Sequence, residues 1–195
     1  MKILISYVET IFFLYNFIAH FTLLLLNILY DTKLREIICS KKLNKNNMDK
    51  LYFIFGHLLI AFVMLFRIGI NLSGNIIVSL VGSIAHTFLF LSYLVLIILY
   101  KRITLLDIIF LLGQIGMIYT YNIQHIKEDV KDMTTRERCT ILLSFILLAI
   151  YYLVVYIKSP NNMIKYGKLL VLLVYILLII LFYLHNKYYH YISIF

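Results

Sequence analysis

The chain has 195 residues, of which 63% are hydrophobic and only 14% are charged, and its mean hydropathy is +0.95. Soluble domains are typically about 45–50% apolar and roughly 25% charged. A soluble fold of this length would lack the polar surface to cover such a core. The composition therefore excludes an ordinary soluble domain and predicts one all-α integral membrane domain over residues 1–195.

The net charge of +9 would suit a nucleic-acid-binding protein, but the position of the basic residues favours another interpretation. They lie in short segments between apolar runs, where Lys and Arg anchor helix ends and set orientation. Residues 31–50 combine basic side chains with Leu34, Ile37 and Ile38. This segment is expected to meet anionic lipid headgroups. No nucleic-acid partner is predicted, and other membrane proteins are possible partners.

Apolar runs of the length needed to cross a bilayer, about 20 residues, recur along the whole chain. They predict a bundle of six spans, with five or seven as alternatives. Before the fifth span, Thr134 and Glu137 have capping-box spacing, and Ser159-Pro160 offers an N-cap and a first-turn proline before the sixth. The predicted spans are 3–30, 51–72, 76–100, 103–124, 140–157 and 169–184.

The distribution of Lys and Arg between the loops predicts the orientation of the chain. With the N-terminus outside, eleven of these residues lie on the inner side and six on the outer side. Positive residues prefer the cytoplasmic side. Both termini are therefore predicted to be non-cytoplasmic, in a membrane that the sequence does not identify.

Ionisable side chains within the spans form the first set of candidate functional residues, because they are expensive in lipid and need a partner or a cavity. Glu9 and Arg67 lie at similar depth near the outer ends of the first two spans. They could form an ion pair that locks this hairpin, or each could extend to the interface. His57 and Asp107 are matched in depth near the inner ends of the second and fourth spans.

A polar stripe on the fourth span gives a second group of candidates. Asp107, Gln114 and Tyr121 follow one another at seven-residue spacing, which places them on one helix face. Such a stripe could provide hydrogen bonds between packed helices or line a transport path along spans two to four. The transport hypothesis predicts that Asp107 and Gln114 face a hydrated cavity and that Asp107→Asn abolishes flux.

The third span carries small polar residues at four-residue spacing, Ser79, Ser83 and Thr87, suited to close helix approach. His86 adjoins this face, and His20 lies at a comparable depth in the first span. Two facing histidines could ligate a haem, but no supporting motif accompanies them. Buried, hydrogen-bonded histidines are the favoured interpretation, and no cofactor or metal is predicted.

Spans five and six are almost purely apolar apart from tyrosine, so the core is expected to come from spans one to four. Asn71-Leu72-Ser73 matches a glycosylation sequon but lies at the membrane surface. Cys39 and Cys139 fall on opposite sides of the predicted membrane, so no disulfide is expected. Motifs of zinc sites, phosphate loops and nucleophile elbows are absent from the sequence, and no catalytic residues are predicted.

A short stretch near the end of the first span, His20-Phe21-Thr22, Asp31 and Cys39-Ser40-Lys41, resembles the cornichon family. These are small cargo receptors of the endomembrane system with a non-cytoplasmic N-terminus. The resemblance covers about 25 residues. The chain departs from the family by having six apparent spans where the family has four, and by lacking the asparagine-proline before the cysteine.

These observations predict a multi-pass membrane protein with a non-enzymatic structural, assembly or protein-interaction role. A small transporter or channel and a cornichon-like cargo receptor are the alternatives. The candidate intramembrane residues are Glu9, His20, His57, Arg67, His86, Asp107 and Gln114.

Overall fold

A computed structural model describes residues 2–31, 48–70, 76–126 and 133–188. Six helices account for nearly all of these residues, which confirms the all-α class. Their bounds lie within about five residues of the predicted spans at most ends, although the fifth and sixth helices begin earlier. They are α1 Lys2–Tyr30, α2 Met48–Ile70, α3 Ile76–Tyr100, α4 Leu105–Ile126, α5 Thr135–Ile157 and α6 Asn162–Tyr188.

Local hydrogen bonds show why α5 and α6 begin where they do. The capping box before α5 is confirmed: the Thr134 hydroxyl accepts from the Glu137 amide, while the Glu137 carboxylate accepts from the Thr134 amide. The predicted cap of α6 at Ser159-Pro160 is wrong. Asn161 takes that place, because its side-chain oxygen accepts from the Met163 and Ile164 amides in the first turn of the helix, at 2.9 and 3.2 Å.

The six helices form a closed ring. Each helix packs mainly against the helices that precede and follow it in sequence, and α6 packs back against α1. Gly167 of α6 makes this last contact close, since a side-chain carbon placed there would lie 2.9 Å from the Leu23 backbone of α1. The Tyr15 hydroxyl also joins the two helices by donating to the Leu170 carbonyl, at 3.1 Å.

The expectation that spans one to four alone build the core is wrong. α5 and α6 have as large a share in the ring, and the fully buried side chains Leu148, Val171 and Tyr175 come from them. The sequence predicted that these two spans, tyrosines included, would be the ones more exposed to lipid. Tyr151, Tyr152 and Tyr175 instead lie inside the ring, where the hydroxyls add polar groups to the interior.

The outer surface of the ring is apolar, with large side chains such as Ile11, Leu80, Leu143 and Tyr183 exposed. Five of the described helices are long and apolar enough, by length and composition, to cross a membrane. Within α2, the described side chains over Lys50–Leu65 form a shorter apolar stretch, although the helix has 23 residues like α5. The protein is thus a multi-pass helical bundle with a lipid-compatible exterior.

Candidate functional site

Two cavities lie on the axis of the ring, and all six helices contribute to both. The first, which we name the inner cavity, has a volume of about 40 Å³. Since one water needs about 10–15 Å³ of such space, it can hold a few water molecules. Its polar lining residues are Asn16, His20, His86, Thr120, Tyr121 and Tyr175.

The second cavity, which we name the vestibule, is larger, with a volume of about 330 Å³. It is lined by the C-terminal parts of α1, α3 and α5 and by the N-terminal parts of α2, α4 and α6. This arrangement shows that neighbouring helices run antiparallel. Its polar lining residues are Asn27, Asp31, Lys50, Ser92, Tyr93, Tyr151, Tyr152 and Lys168.

Along the helices, buried side chains lie between the residues that line the vestibule and those that line the inner cavity, except on α1, where His20 itself borders the inner cavity. On α4, for example, Phe110 lines the vestibule and Met117 lines the inner cavity, with Gln114 between them. Each helix contributes one such side chain, and none of the six is more than 2% exposed. We name them the middle layer: His20, His57, Leu89, Gln114, Leu148 and Val171.

Two histidines of the middle layer are in direct contact. The Nδ1 atoms of His20 and His57 lie 2.8 Å apart, a hydrogen-bond distance. Since a hydrogen bond needs one donor and one acceptor, one ring carries a proton at Nδ1 and the other presents a bare Nδ1. The pair therefore shares one proton between α1 and α2. Phe53, which lines the vestibule, packs edge-on against His57 with the ring centroids 4.4 Å apart.

A second polar contact extends the layer toward the inner cavity. His86 Nδ1 donates to the Gln114 side-chain oxygen at 2.7 Å, because a carbonyl oxygen can only accept. The His86 ring also lies beside Tyr121, with the centroids 5.5 Å apart. Gln114 is completely buried. These contacts hold α3 and α4 together through neutral polar groups.

Three buried polar atoms around the axis lack a hydrogen-bond partner among the described residues: Asn16 Oδ1, His57 Nε2 and Gln114 Nε2. Asn16 lines the inner cavity, whose volume gives room for water. An unpaired buried polar group costs roughly 1–3 kcal/mol. Three such atoms lie close to one another along the axis of the ring. This axis is therefore the candidate functional site.

Of the polar stripe predicted on the fourth span, Gln114 and Tyr121 lie at this site and Asp107 does not. Asp107 closes a local cap at the start of α4, where its carboxylate accepts from the Thr104 hydroxyl at 2.6 Å and from the Thr104 amide at 2.7 Å. No hydrogen bond joins it to the matched His57. Neither Asp107 nor Gln114 lines the two cavities, so these cavities give no support to the predicted path along spans two to four, which stays a prediction.

Other predicted contacts have different outcomes. The side chains of Glu9 and Arg67 lie outside the described residues, as do Cys39 and the sequon at 71–73. His20 and His86 both line the inner cavity, but each is hydrogen-bonded elsewhere, and about 40 Å³ is too small for a porphyrin. Among the described side chains, no group of three or more His, Cys, Asp or Glu could hold a metal ion.

Sequence reasoning missed two residues that the structure places on the axis. Asn16 was not among the predicted candidates, and Lys168 was counted with the basic residues that anchor helix ends. The signal for Lys168 was its position within a helix that begins at Asn162, seven residues before the predicted start. The vestibule tyrosines carried no usable signal, because tyrosine is equally common at membrane interfaces.

Comparison of the chain with protein-family models, with curated proteins and with solved structures found no match. The resemblance to the cornichon family therefore has no support beyond the short stretch that suggested it.

Proposed function

We propose that the protein is a transporter that moves protons along the axis of the helical ring, with the middle layer as its gate. The observation that supports this proposal is the position of His57 and Gln114 between two cavities lined by all six helices, with His20 in contact with His57 at the border of the inner cavity. The route differs from the one expected from sequence, since it follows the ring axis.

The energetic cost of this layer favours a functional role over a purely structural one. Polar side chains within a membrane are costly, and by default they indicate a pathway for ions, protons or substrates. Three apolar members of the layer, Leu89, Leu148 and Val171, show that hydrophobic packing suits the same depth. Replacing the polar members by similar apolar residues would remove the unpaired atoms at His57 and Gln114.

The histidine pair supplies the chemistry that the proposal needs. Imidazole in water gains and loses protons near neutral pH. Because burial disfavours the charged form and both rings are buried, proton uptake belongs to the conformation in which His57 meets the vestibule. When a proton binds to Nε2 of His57, the proton at Nδ1 of the same ring can pass to Nδ1 of His20, 2.8 Å away. His20 then releases its own second proton at the inner cavity, which its ring borders. One proton enters, one leaves, and both rings have exchanged their tautomers. Both rings must return to their starting tautomers before the next proton can follow.

Two groups close the path in the observed conformation. Phe53 covers His57 from the vestibule side, and Leu148 completes the layer without any exposed surface. Transport therefore requires a movement that brings His57 into contact with the vestibule. In the orientation predicted from the loop charges, the vestibule faces the cytoplasm.

The test is proton flux into liposomes that contain the purified full-length protein and the pH-sensitive dye pyranine. A pH gradient is imposed while potassium and valinomycin clamp the membrane potential. We expect the wild-type protein to dissipate the gradient and His57→Asn to behave like protein-free vesicles. An asparagine amide can still hydrogen-bond to His20, but it cannot carry a proton.

Thr87→Val is the matched control, because Thr87 is exposed on α3 and its hydroxyl donates only to the Ser83 carbonyl. It should retain wild-type flux. Equal flux through His57→Asn and the wild type would contradict the proposal. If the well-folded wild-type protein conducts no protons, the scaffold or assembly role favoured by composition becomes the better proposal, and purification from native membrane with its bound proteins is then the informative experiment.

A further inference from the structure

The vestibule contains a lysine whose charge is not neutralised by any carboxylate in the described part of the chain. Lys168 Nζ lies 3.3 Å from the Ser159 hydroxyl and 3.5 Å from the Val155 carbonyl, both neutral groups. Its side chain is half-buried within the first two turns of α6. A cation held in a cavity between apolar helices attracts an anion more strongly than one in water, because screening is weaker there.

The other two charged residues that line the vestibule do not form an ion pair with Lys168. Lys50 and Asp31 pair with each other, with Nζ and Oδ1 3.6 Å apart. Their side chains are 22% and 36% exposed, so this pair lies at the rim. Asp107 is at the same end of the bundle, but its carboxylate is held by Thr104 and does not line the cavity. The described lining therefore carries one net positive charge.

The remaining walls of the vestibule are aromatic and apolar. Tyr93, Phe110 and Tyr151 form a continuous group, with the Phe110 centroid 4.1 Å from Tyr93 and 4.4 Å from Tyr151. Leu23 and Leu96 add aliphatic surface. A largely apolar cavity with a few convergent polar groups is the usual form of a small-molecule site, and about 330 Å³ is at the lower end of the size range of such sites.

We propose that the vestibule binds an amphiphilic anion, with a single phosphate or carboxylate group on Lys168 and an apolar body against the aromatic wall. The Tyr93 hydroxyl and the second amide hydrogen of Asn27, whose first is donated to the Leu23 carbonyl, offer further hydrogen-bond donors in the same cavity. The ligand is either a membrane lipid or a soluble organic anion. The claim that this anion binds in the vestibule does not depend on the proposed function. The claim that it is transported together with the proton does rest on the proposed function.

Binding is measured on the purified full-length protein in neutral detergent, with two pairs of probes. Phenyl phosphate is compared with phenol by titration calorimetry, and dioleoyl phosphatidic acid is compared with dioleoyl phosphatidylcholine by native mass spectrometry. We expect the anionic member of at least one pair to bind in preference to its neutral or zwitterionic counterpart. Preference for phenyl phosphate identifies a soluble ligand, and preference for phosphatidic acid identifies a lipid.

The site is then tested with variants of α6. Lys168→Met keeps an unbranched side chain and should weaken anion binding by about tenfold or more, the loss expected for one charge-assisted hydrogen bond. Lys168→Arg should retain binding. The matched control is Lys165→Met, because Lys165 lies over the Tyr156 ring at 4.9 Å and does not line the vestibule.

Two results would overturn the site: equal binding of anionic and neutral probes by the wild-type protein, or unchanged affinity in Lys168→Met. The first needs no variant and so does not depend on how a substitution affects folding. Anion binding without proton flux would leave the site standing and contradict transport. Proton flux without anion binding would support transport and contradict the anion site.

Discussion

The vestibule and the inner cavity are built by the same six helices, yet they contain different kinds of polar group. The vestibule holds the charged side chains Asp31, Lys50 and Lys168, while the inner cavity has only neutral or exchangeable ones such as Asn16 and His86. The rim pair is partly exposed, whereas Asn16 and His86 are at most 3% exposed. Among the described residues that line these two cavities, permanent charge is thus confined to the wide end of the axis.

This difference follows from the cost of burying charge. A permanently charged group deep in an apolar bundle costs several kcal/mol even after relaxation, whereas a histidine or an amide can be buried neutral and hydrogen-bonded. Histidine adds the ability to become charged for the short time that a proton is in transit. If the protein transports protons as proposed, the wide end is the part that selects by charge and the narrow end passes protons only.

The largest expected effect comes from removing the separation between the two cavities. Leu148→Ala shortens a completely buried side chain of the middle layer and should cost about 2–5 kcal/mol of stability. It should also join the cavities and raise proton leak in liposomes. Thermal unfolding in detergent measures the first effect. Leu153→Ala, at a 44% exposed position on the same helix, is the control and should change neither quantity.

A smaller effect is expected from breaking the histidine contact of the middle layer. His20→Leu and His57→Leu should each lower stability by about 1–2 kcal/mol, the range measured for interhelical hydrogen bonds in model membrane peptides. The double variant should cost less than the sum of the two, because the second substitution removes an atom that the first left unpaired. Additive losses in this double-mutant cycle would show that the 2.8 Å contact does not couple the helices.

Asp107→Asn tests whether charge at the vestibule end belongs to the proton path. Since Asp107 caps the first turn of α4, loss of its charge should reduce stability by about 0.3–1 kcal/mol, the range for an acidic group at a helix N-terminus. Proton flux should stay at the wild-type rate. Loss of flux without loss of stability would restore the role that the sequence suggested for this residue.

The smallest effect on stability is expected at the rim of the vestibule. Asp31→Asn breaks a partly exposed ion pair, and such pairs contribute about 0.2–1 kcal/mol. The same substitution removes the carboxylate charge beside Lys50. It should therefore tighten the binding of phenyl phosphate, which titration calorimetry measures. Weaker binding would mean that Asp31 itself contacts the ligand.

The helices could be predicted from sequence because each depends on a local apolar run. The third span was predicted with the bounds that α3 has, and the capping box at Thr134 was recognised from spacing alone. The start of α6 was missed because Lys165 and Lys168 interrupt the apolar pattern, although the second of these faces the vestibule.

The site was harder to predict, because it depends on which helices meet. His20, His57, His86 and Gln114 were recognised as candidates from their position in apolar runs, but their partners were assigned from estimated depth. Depth matched His57 with Asp107 and His20 with His86. The ring instead pairs His20 with His57 and His86 with Gln114. Ring closure between α1 and α6 leaves no trace in a single sequence.

That closure also has a consequence for how the protein is made. Because α1 precedes α6 in the chain, α1 is made before α6, and Asn16 and His20 have no complete enclosure until α6 has packed against α1. The seam at Gly167 and Leu23 is the contact that seals them. Synthesis therefore passes through a five-helix stage whose polar interior is open to lipid along one side. A chaperone or insertase that shields the groove at this stage would recognise a transient surface that the finished protein no longer has.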